Sequence, residues 1–123
     1  MTRLVRIGYW RGTTSPNHPD PADFVDETWD ERDRDQVAAY LQSGTIPWVG
    51  AGFSPCRICG APNGSAEFTD GTYIWPEGLA HYVEVHHVRL PEEVLAHIRQ
   101  RWDELLEAAV VDDDWWLCEM TRR

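Results

Sequence analysis

Two cysteines and two histidines constrain the fold of this chain more than any other feature of its sequence. Cys56 and Cys59 form a C-x2-C turn, and His81 and His86 follow with the overall spacing C-x2-C-x21-H-x4-H. Two thiolates on one turn and two nearby imidazoles are the ligand set that structural zinc prefers. The spacing therefore predicts a tetrahedral Zn²⁺ site that holds the middle of the chain together.

The sequence leaves the second imidazole ligand open. His86 lies five residues after His81, about 140° around an ideal helix, so both can face one ion only if the helix loosens at its end. His87 would give an H-x5-H spacing that is also permitted but needs more unwinding, so His86 is preferred. His18 and His97 are not predicted to be ligands. The cysteines could instead form a redox pair, although the βαβ context is missing, or a pair without a metal.

The charge of the chain excludes several functions. Of its 123 residues, 11 are basic, all of them arginine, and 21 are acidic, which gives a formal net charge of −10. Nucleic-acid binding draws most of its affinity from basic side chains at phosphates, so no DNA or RNA partner is expected. The absence of lysine also excludes Schiff-base and P-loop chemistry, which both need an ammonium group.

A single domain over residues 1–123 is predicted, because this length suffices for one core and 42% of the residues are hydrophobic. The sequence has no signal-peptide-like start and no apolar run of 18 residues, so a cytoplasmic protein without a membrane segment is expected. Three cysteines, two of them in the C-x2-C pair, suit a reducing compartment. Cys118 is expected to be a small buried hydrophobe.

Hydrophobic periodicity and turn signals predict an α+β fold. A strand over 4–10 precedes an acidic loop and helix over 16–43, in which the helix runs from about Glu31 to Ser43, and then an irregular strand over 45–54. From Asp20 to Asp35, eight of sixteen residues are acidic. Such a run predicts either a solvated face or a docking surface for a basic partner.

The predicted zinc unit covers residues 53–90 and has the order of a ββα finger with a long insert. Asp70-Gly71 predicts the two-residue turn of a hairpin over 67–74. Pro76 suits the first position of a helix over 76–85, which carries His81. The cysteine turn, hairpin and helix would enclose the ion.

The C-terminal part is predicted to pack on the core. Pro91 begins a helix to about residue 109, with an apolar stripe formed by Val94, Leu95, Ile98, Trp102, Leu105 and Ala109. Residues 114–120 are predicted to return as a strand that pairs with the N-terminal one, with Trp115 and Trp116 buried. Exposure of this tryptophan pair would instead indicate self-association.

Three segments resemble a group of small bacterial zinc-finger-like proteins. They are the C-R-x-C-G turn at 56–60, the D-G-T-Y-x-W-P-E-G-L-A-H-Y-V block at 70–83 and the V-R-L-P segment at 88–91. The resemblance runs from Tyr40 to Pro91, under half of the chain. It implies a coherent unit around the metal with Trp75 and Tyr82 as aromatic supports, and it implies no activity.

These features predict a non-enzymatic zinc-binding protein that presents its acidic surface to a basic protein partner, as an inhibitor or immunity-type protein would. The alternative is a zinc-dependent hydrolase or deaminase, since residues 55–59 match the P-C-x-x-C half of the zinc deaminase signature. The upstream H-x-E half is missing, and an enzyme would need an open zinc position with Glu77 or Glu84 as the base. The acidity could also serve only solubility or a salt-rich habitat.

Overall fold

Three strands stand together in the middle of the chain, and three helices follow them. The computed structural model describes residues 3–13, 15–50 and 54–122. In chain order the elements are β1 (Val5–Arg6), α1 (Glu31–Gln42), β2 (Thr45–Val49), β3 (Ala66–Thr69), β4 (Tyr73–Pro76), α2 (Leu79–His86), α3 (Glu92–Ala108) and α4 (Asp114–Thr121), with a 3-10 helix over Pro21–Phe24 before α1. The predicted α+β class is confirmed. Among the described helices, none has the length and apolarity needed to cross a membrane.

The four strands form one mixed sheet in the order β1-β4-β3-β2. β4 pairs antiparallel with β3 and parallel with β1, where Val5 lies opposite Tyr73. The predicted N-terminal strand over 4–10 is shortened to two residues. After the amide of Ile7 donates to Ile74, Gly8 adopts a φ of +74° and turns the chain away from the sheet.

The predicted hairpin is present, but its turn lies one residue further along the chain. Thr69 pairs with Ile74, so the two central turn residues are Gly71 and Thr72. Gly71 supplies the positive φ, at +92°, and Asp70 accepts hydrogen bonds from the amides of Thr72 and Tyr73, both 2.9 Å. Asp70, the residue before the two central positions, therefore stabilises the turn through its side chain.

The prediction that Pro76 begins a helix is wrong. Pro76 is the last residue of β4, opposite Glu67 in the ladder, and the amide of Glu77 still donates to Ala66. The helix begins only at Leu79, after Gly78. Proline fits the end of this strand because no ladder hydrogen bond requires its missing amide proton.

The core lies where α1, α2 and the first half of α3 meet the sheet. Trp75 of β4 is its largest fully buried side chain, and its indole N–H donates to the carbonyl of Leu41 at 2.9 Å. α1 begins at its predicted position, with Asp30 capping the amide of Asp33. The other buried members are Trp29, Val37, Ala38, Tyr40, Leu79, Ala80, Val83, Leu90, Val94, Leu95 and Ile98.

The C-terminal predictions are only partly correct. α3 forms as expected and buries Val94, Leu95 and Ile98, but Leu105 further along its stripe is 61% exposed. Residues 114–121 form a helix rather than a strand, with Trp115, Trp116 and Cys118 all exposed. The acidic run before Trp115 explains the helix, because carboxylates stabilise the positive end of a helix dipole.

Candidate metal centre

The cysteine turn directs backbone amides at a sulfur atom. The N–H groups of Ile58 and Cys59 donate to Cys56 Sγ at 3.4 and 3.5 Å. The turn closes when the amide of Gly60 donates to the Cys56 carbonyl at 2.8 Å, with Gly60 at a φ of +76°. A residue with a side chain would be strained at this position. The turn thus directs two backbone N–H groups at the sulfur of Cys56.

These contacts shift the protonation of Cys56. Burial of Cys56 opposes ionisation, but the amides of Cys59 and Ile58 and the side chains of Cys59 and Tyr82 outweigh it, so the pKa of the thiol lies below its usual range. Hydrogen bonds to a charged form favour that form. Because the thiolate is the metal-binding state of cysteine, the turn prepares Cys56 as a ligand.

Both histidines lie on helix α2, and His86 is its last residue. His87 adopts the left-handed conformation, with a φ of +56°, and its amide returns to the carbonyl of Tyr82. The rings of His81 and His86 stand edge to face with their centroids 5.0 Å apart. His87 points elsewhere, and its Nδ1 lies 2.9 Å from Glu27 Oε2.

The four predicted ligands converge. The ligand atoms of Cys56, Cys59, His81 and His86 all lie within 4.8 Å of one another, and Cys59 Sγ is 3.5 Å from His81 Nε2. Around a tetrahedral ion with metal–sulfur and metal–nitrogen bonds of about 2.3 and 2.0 Å, the ligand atoms lie about 3.3–3.8 Å from one another. The four residues therefore lie close enough to hold a metal ion.

One ligand nitrogen has an unmet bonding requirement. The Nε2 atom of His86 is buried and has no hydrogen-bond partner within the described ranges. Burial, together with the neighbouring His81 and His87, lowers the pKa of this imidazole, which favours the neutral, metal-binding form. A buried polar atom without a partner is costly. A metal ion in the cluster would supply the partner.

Tyr82 and Arg57 connect this centre to the rest of the protein. The Tyr82 hydroxyl accepts a 2.7 Å hydrogen bond from the amide of Arg57, and its ring packs in a small buried cluster with Cys56, Val88 and Trp10. The Arg57 guanidinium donates to the carbonyls of Arg11 and Pro55. Sequence reasoning identified Tyr82 only as an aromatic support and missed Arg57, although the position of Tyr82 beside His81 was a usable signal.

No carboxylate belongs to the four-residue group within the part of the chain that the structure describes. Glu77, one of the two bases considered for an enzyme, accepts hydrogen bonds from the amides of Ser65 and Ala66, both 3.0 Å, and so anchors the start of β3. Glu84 lies exposed on α2. Four protein ligands would fill a tetrahedral shell around one ion.

Comparisons with protein-family models, with curated proteins and with solved structures give no match. The donor atoms and their surroundings therefore carry the functional interpretation.

Proposed function

We propose that Cys56, Cys59, His81 and His86 bind one Zn²⁺ ion as a closed structural site. The convergence of their four ligand atoms within 4.8 Å carries this proposal. Two sulfurs and two imidazole nitrogens in a tetrahedral arrangement suit zinc, whereas calcium and magnesium prefer oxygen. The ion would complete a unit of the ββα type, in which it joins the cysteine turn to α2 beside the β3–β4 hairpin.

The ion would stabilise the cysteine turn, which packs little against the rest of the protein. Within residues 54–62, Cys56 is buried, whereas Arg57, Ile58, Cys59 and Gly60 are exposed. An isolated bridge between Pro55 and Pro62 and the Arg57 contacts hold the turn in place. Two metal–sulfur bonds would fix it to the well-packed helix α2. A filled ligand shell also supports a non-enzymatic protein rather than a hydrolase or deaminase.

A protein–protein interaction module is the function that we propose for the whole chain. The support is its net charge of −10 together with a set of acidic side chains between Asp20 and Asp35. The partner would be a basic protein, as for an inhibitor or immunity-type protein. Complementary charge speeds diffusional encounter and selects the partner more than it raises affinity.

Contacts in the structure narrow this acidic surface. Asp26 pairs with Arg89 at 2.9 Å, Asp33 with Arg99 at 2.7 Å and Glu27 with His87. Two further acidic side chains cap helices, Asp20 at the 3-10 helix and Asp30 at α1. The remaining three acidic residues are exposed and make no side-chain hydrogen bond within the described residues: Asp23, Glu31 and Asp35. These three side chains define the proposed docking surface.

Neutralising the docking surface tests this function. We expect a variant that combines Asp23→Asn, Glu31→Gln and Asp35→Asn to associate about 10-fold more slowly with a basic partner captured from the source cells, and with a smaller salt dependence. The variant with Glu84→Gln on α2 and with Glu93→Gln and Asp103→Asn on α3 changes the net charge equally and serves as the control. Stopped-flow association rates at several ionic strengths decide the matter. Equal association rates for the two variants, or rates that do not depend on salt, would contradict the proposed docking surface.

Removal of the Tyr82 hydroxyl should loosen the metal without expelling it. In Tyr82→Phe the amide of Arg57 loses its hydrogen-bond acceptor. The Cys56 thiolate also loses the hydrogen bond from the Tyr82 side chain that helps to lower its pKa. Changes in groups that support metal ligands typically cost about 10- to 100-fold in metal affinity. We expect one equivalent of bound zinc and a faster transfer to a chromogenic chelator by a similar factor. Tyr73→Phe, in half-buried Tyr73 on β4, is the control, and identical transfer from both variants would contradict this role.

A further inference from the structure

Residues 105–120, called the apolar segment below, expose a series of large hydrophobic side chains on both sides of the acidic run Asp112 to Asp114. These side chains are between 46% and 91% exposed: Leu105, Leu106, Val110, Val111, Trp115, Trp116, Leu117 and Met120. The stripe of α3 thus continues beyond the point where the body of the protein covers it. α4 contributes no buried residue at all. Runs of exposed apolar side chains of this size mark interaction sites.

The pattern within α4 indicates that it is covered on more than one side. Its apolar residues at 115, 116, 117, 118 and 120 point in all directions around a helix with 100° per residue. A helix that is hydrophobic all round is ordinarily buried. One flat partner surface would leave part of this helix in water, whereas a bundle would enclose it.

The total surface supports a missing interface of ordinary size. The chain exposes 8633 Å², whereas a compact monomer of 14.2 kDa exposes roughly 6,800 Å². The excess exceeds the roughly 800 Å² per partner that a standard specific interface buries. The chain as a whole therefore exposes enough surface beyond that of a compact monomer for one interface of standard size.

The charges at the two ends of α4 favour a second copy of the chain as the partner. The helix begins after Asp112 and Asp113 and has Asp114 in its first turn. Arg122 follows its last residue, and the Arg122 guanidinium lies 2.8 Å from Glu119 of the same helix. In an antiparallel pair, the acidic start of each helix lies beside the end of the other helix that Arg122 follows, and the two helix dipoles run in opposite directions, which is favourable. Such a contact is isologous, as in most homodimers.

We propose that residues 105–120 form a homodimer interface in which α4 packs antiparallel against α4 of a second copy, flanked by the apolar ends of α3. The midpoint of α4 lies between Leu117 and Cys118. The two-fold axis therefore brings the two Cys118 side chains close together. This interface is separate from the metal centre and from the acidic docking surface, so it stands whether or not those two proposals hold.

Sedimentation equilibrium of the full chain tests the dimer, and Leu117→Glu should weaken it by at least about 100-fold, because the variant buries an unpaired charge at the interface. The fold should survive, since Leu117 is exposed and contributes nothing to the core; circular dichroism and metal content verify this. Ile46→Glu places the same change on the exposed strand β2 and is the control. A monomer at all concentrations, or a dimer that Leu117→Glu leaves intact, would overturn the proposal.

Cross-linking tests the antiparallel geometry. A short bismaleimide should link two wild-type chains, and Cys118→Ser should abolish the link while leaving the sedimenting dimer unchanged. Salt separates this interface from docking to a basic partner. Two chains of charge −10 repel each other, so added salt should preserve or strengthen the dimer, whereas it slows association with a basic protein. A monomer that binds only the basic partner would reject the dimer and retain the proposed function.

Discussion

Purified protein is expected to carry one equivalent of zinc and to lose it in each of four variants: Cys56→Ser, Cys59→Ser, His81→Ala and His86→Ala. Structural zinc contributes apparent free energies of roughly 10–16 kcal/mol in small domains, which is comparable to the roughly 5–15 kcal/mol net stability of a whole domain. We therefore expect loss of the ion, by substitution or by a chelator, to unfold at least residues 54–90. Elemental analysis and thermal unfolding followed by circular dichroism measure both effects.

His87→Ala is the matched control for the zinc experiment. His87 is also a histidine and directly follows the ligand His86, but its ring contacts Glu27 rather than the four proposed ligands. The His87→Ala variant should therefore keep one equivalent of zinc. Loss of zinc in only three of the four ligand variants would indicate an open coordination position and revive the enzymatic alternative. A protein without zinc, or one whose zinc survives the loss of Cys56 and His81, would refute the proposed site.

Asp70→Ala is expected to lower the free energy of unfolding by about 2–4 kcal/mol, because it removes the acceptor of several hydrogen bonds that typically contribute about 1 kcal/mol each. The side chain of Asp70 is only 8% exposed. It accepts a 2.6 Å hydrogen bond from the Tyr40 hydroxyl, lies 2.8 Å from His97 Nε2 and holds the amides of Thr72 and Tyr73. Without it, α1, α3 and the hairpin turn lose a shared anchor.

The effect of Asp70 should depend on pH. Burial opposes ionisation, but its hydrogen bonds from Tyr40, Tyr73, Thr72 and His97 prevail and hold the pKa of Asp70 below its ordinary value of 3.8. A lowered pKa contributes stability above pH 3.8 that is lost as the pH falls through the folded value. The stability difference between wild type and Asp70→Asn should therefore shrink below pH 3.8.

Denaturant unfolding of both proteins at the same series of pH values provides this comparison, and metal release at low pH affects the two alike. The control is Asp23→Ala, which removes an exposed carboxylate without a side-chain hydrogen bond in the described structure. Its effect should stay within about 0.5 kcal/mol, as for most surface changes. A similar loss of stability in Asp23→Ala and Asp70→Ala would contradict the network.

The ligand cluster was accessible from the sequence because zinc chemistry depends on residue type and short spacing. Cys56 and Cys59 need only one turn, and His81 and His86 only one helix. The choice between His86 and His87 was harder, since it depends on Glu27, sixty residues earlier in the chain. Long-range partners of this kind leave no local pattern.

The same limit explains the other differences. The acidic run between Asp20 and Asp35 suggested a single exposed face, but Arg89 and Arg99 recruit Asp26 and Asp33 from that run for internal contacts. Around Trp115 and Trp116, apolar composition alone could not distinguish a core strand from an exposed interface helix. A buried strand and an exposed interface helix would contain the same hydrophobic residues. Whether these residues are covered depends on where the segment lies relative to the packed core.

The order of the sheet has a consequence for how the chain reaches its native state. β3 and β4 are joined by a tight hairpin and α2 follows at once, so these contacts close short loops. β1, in contrast, pairs with β4 across about seventy residues, and long loops carry the larger entropic penalty and form slowly. We expect the hairpin and α2 to assemble first, and the two-residue N-terminal strand to complete the sheet last and to open first in hydrogen exchange.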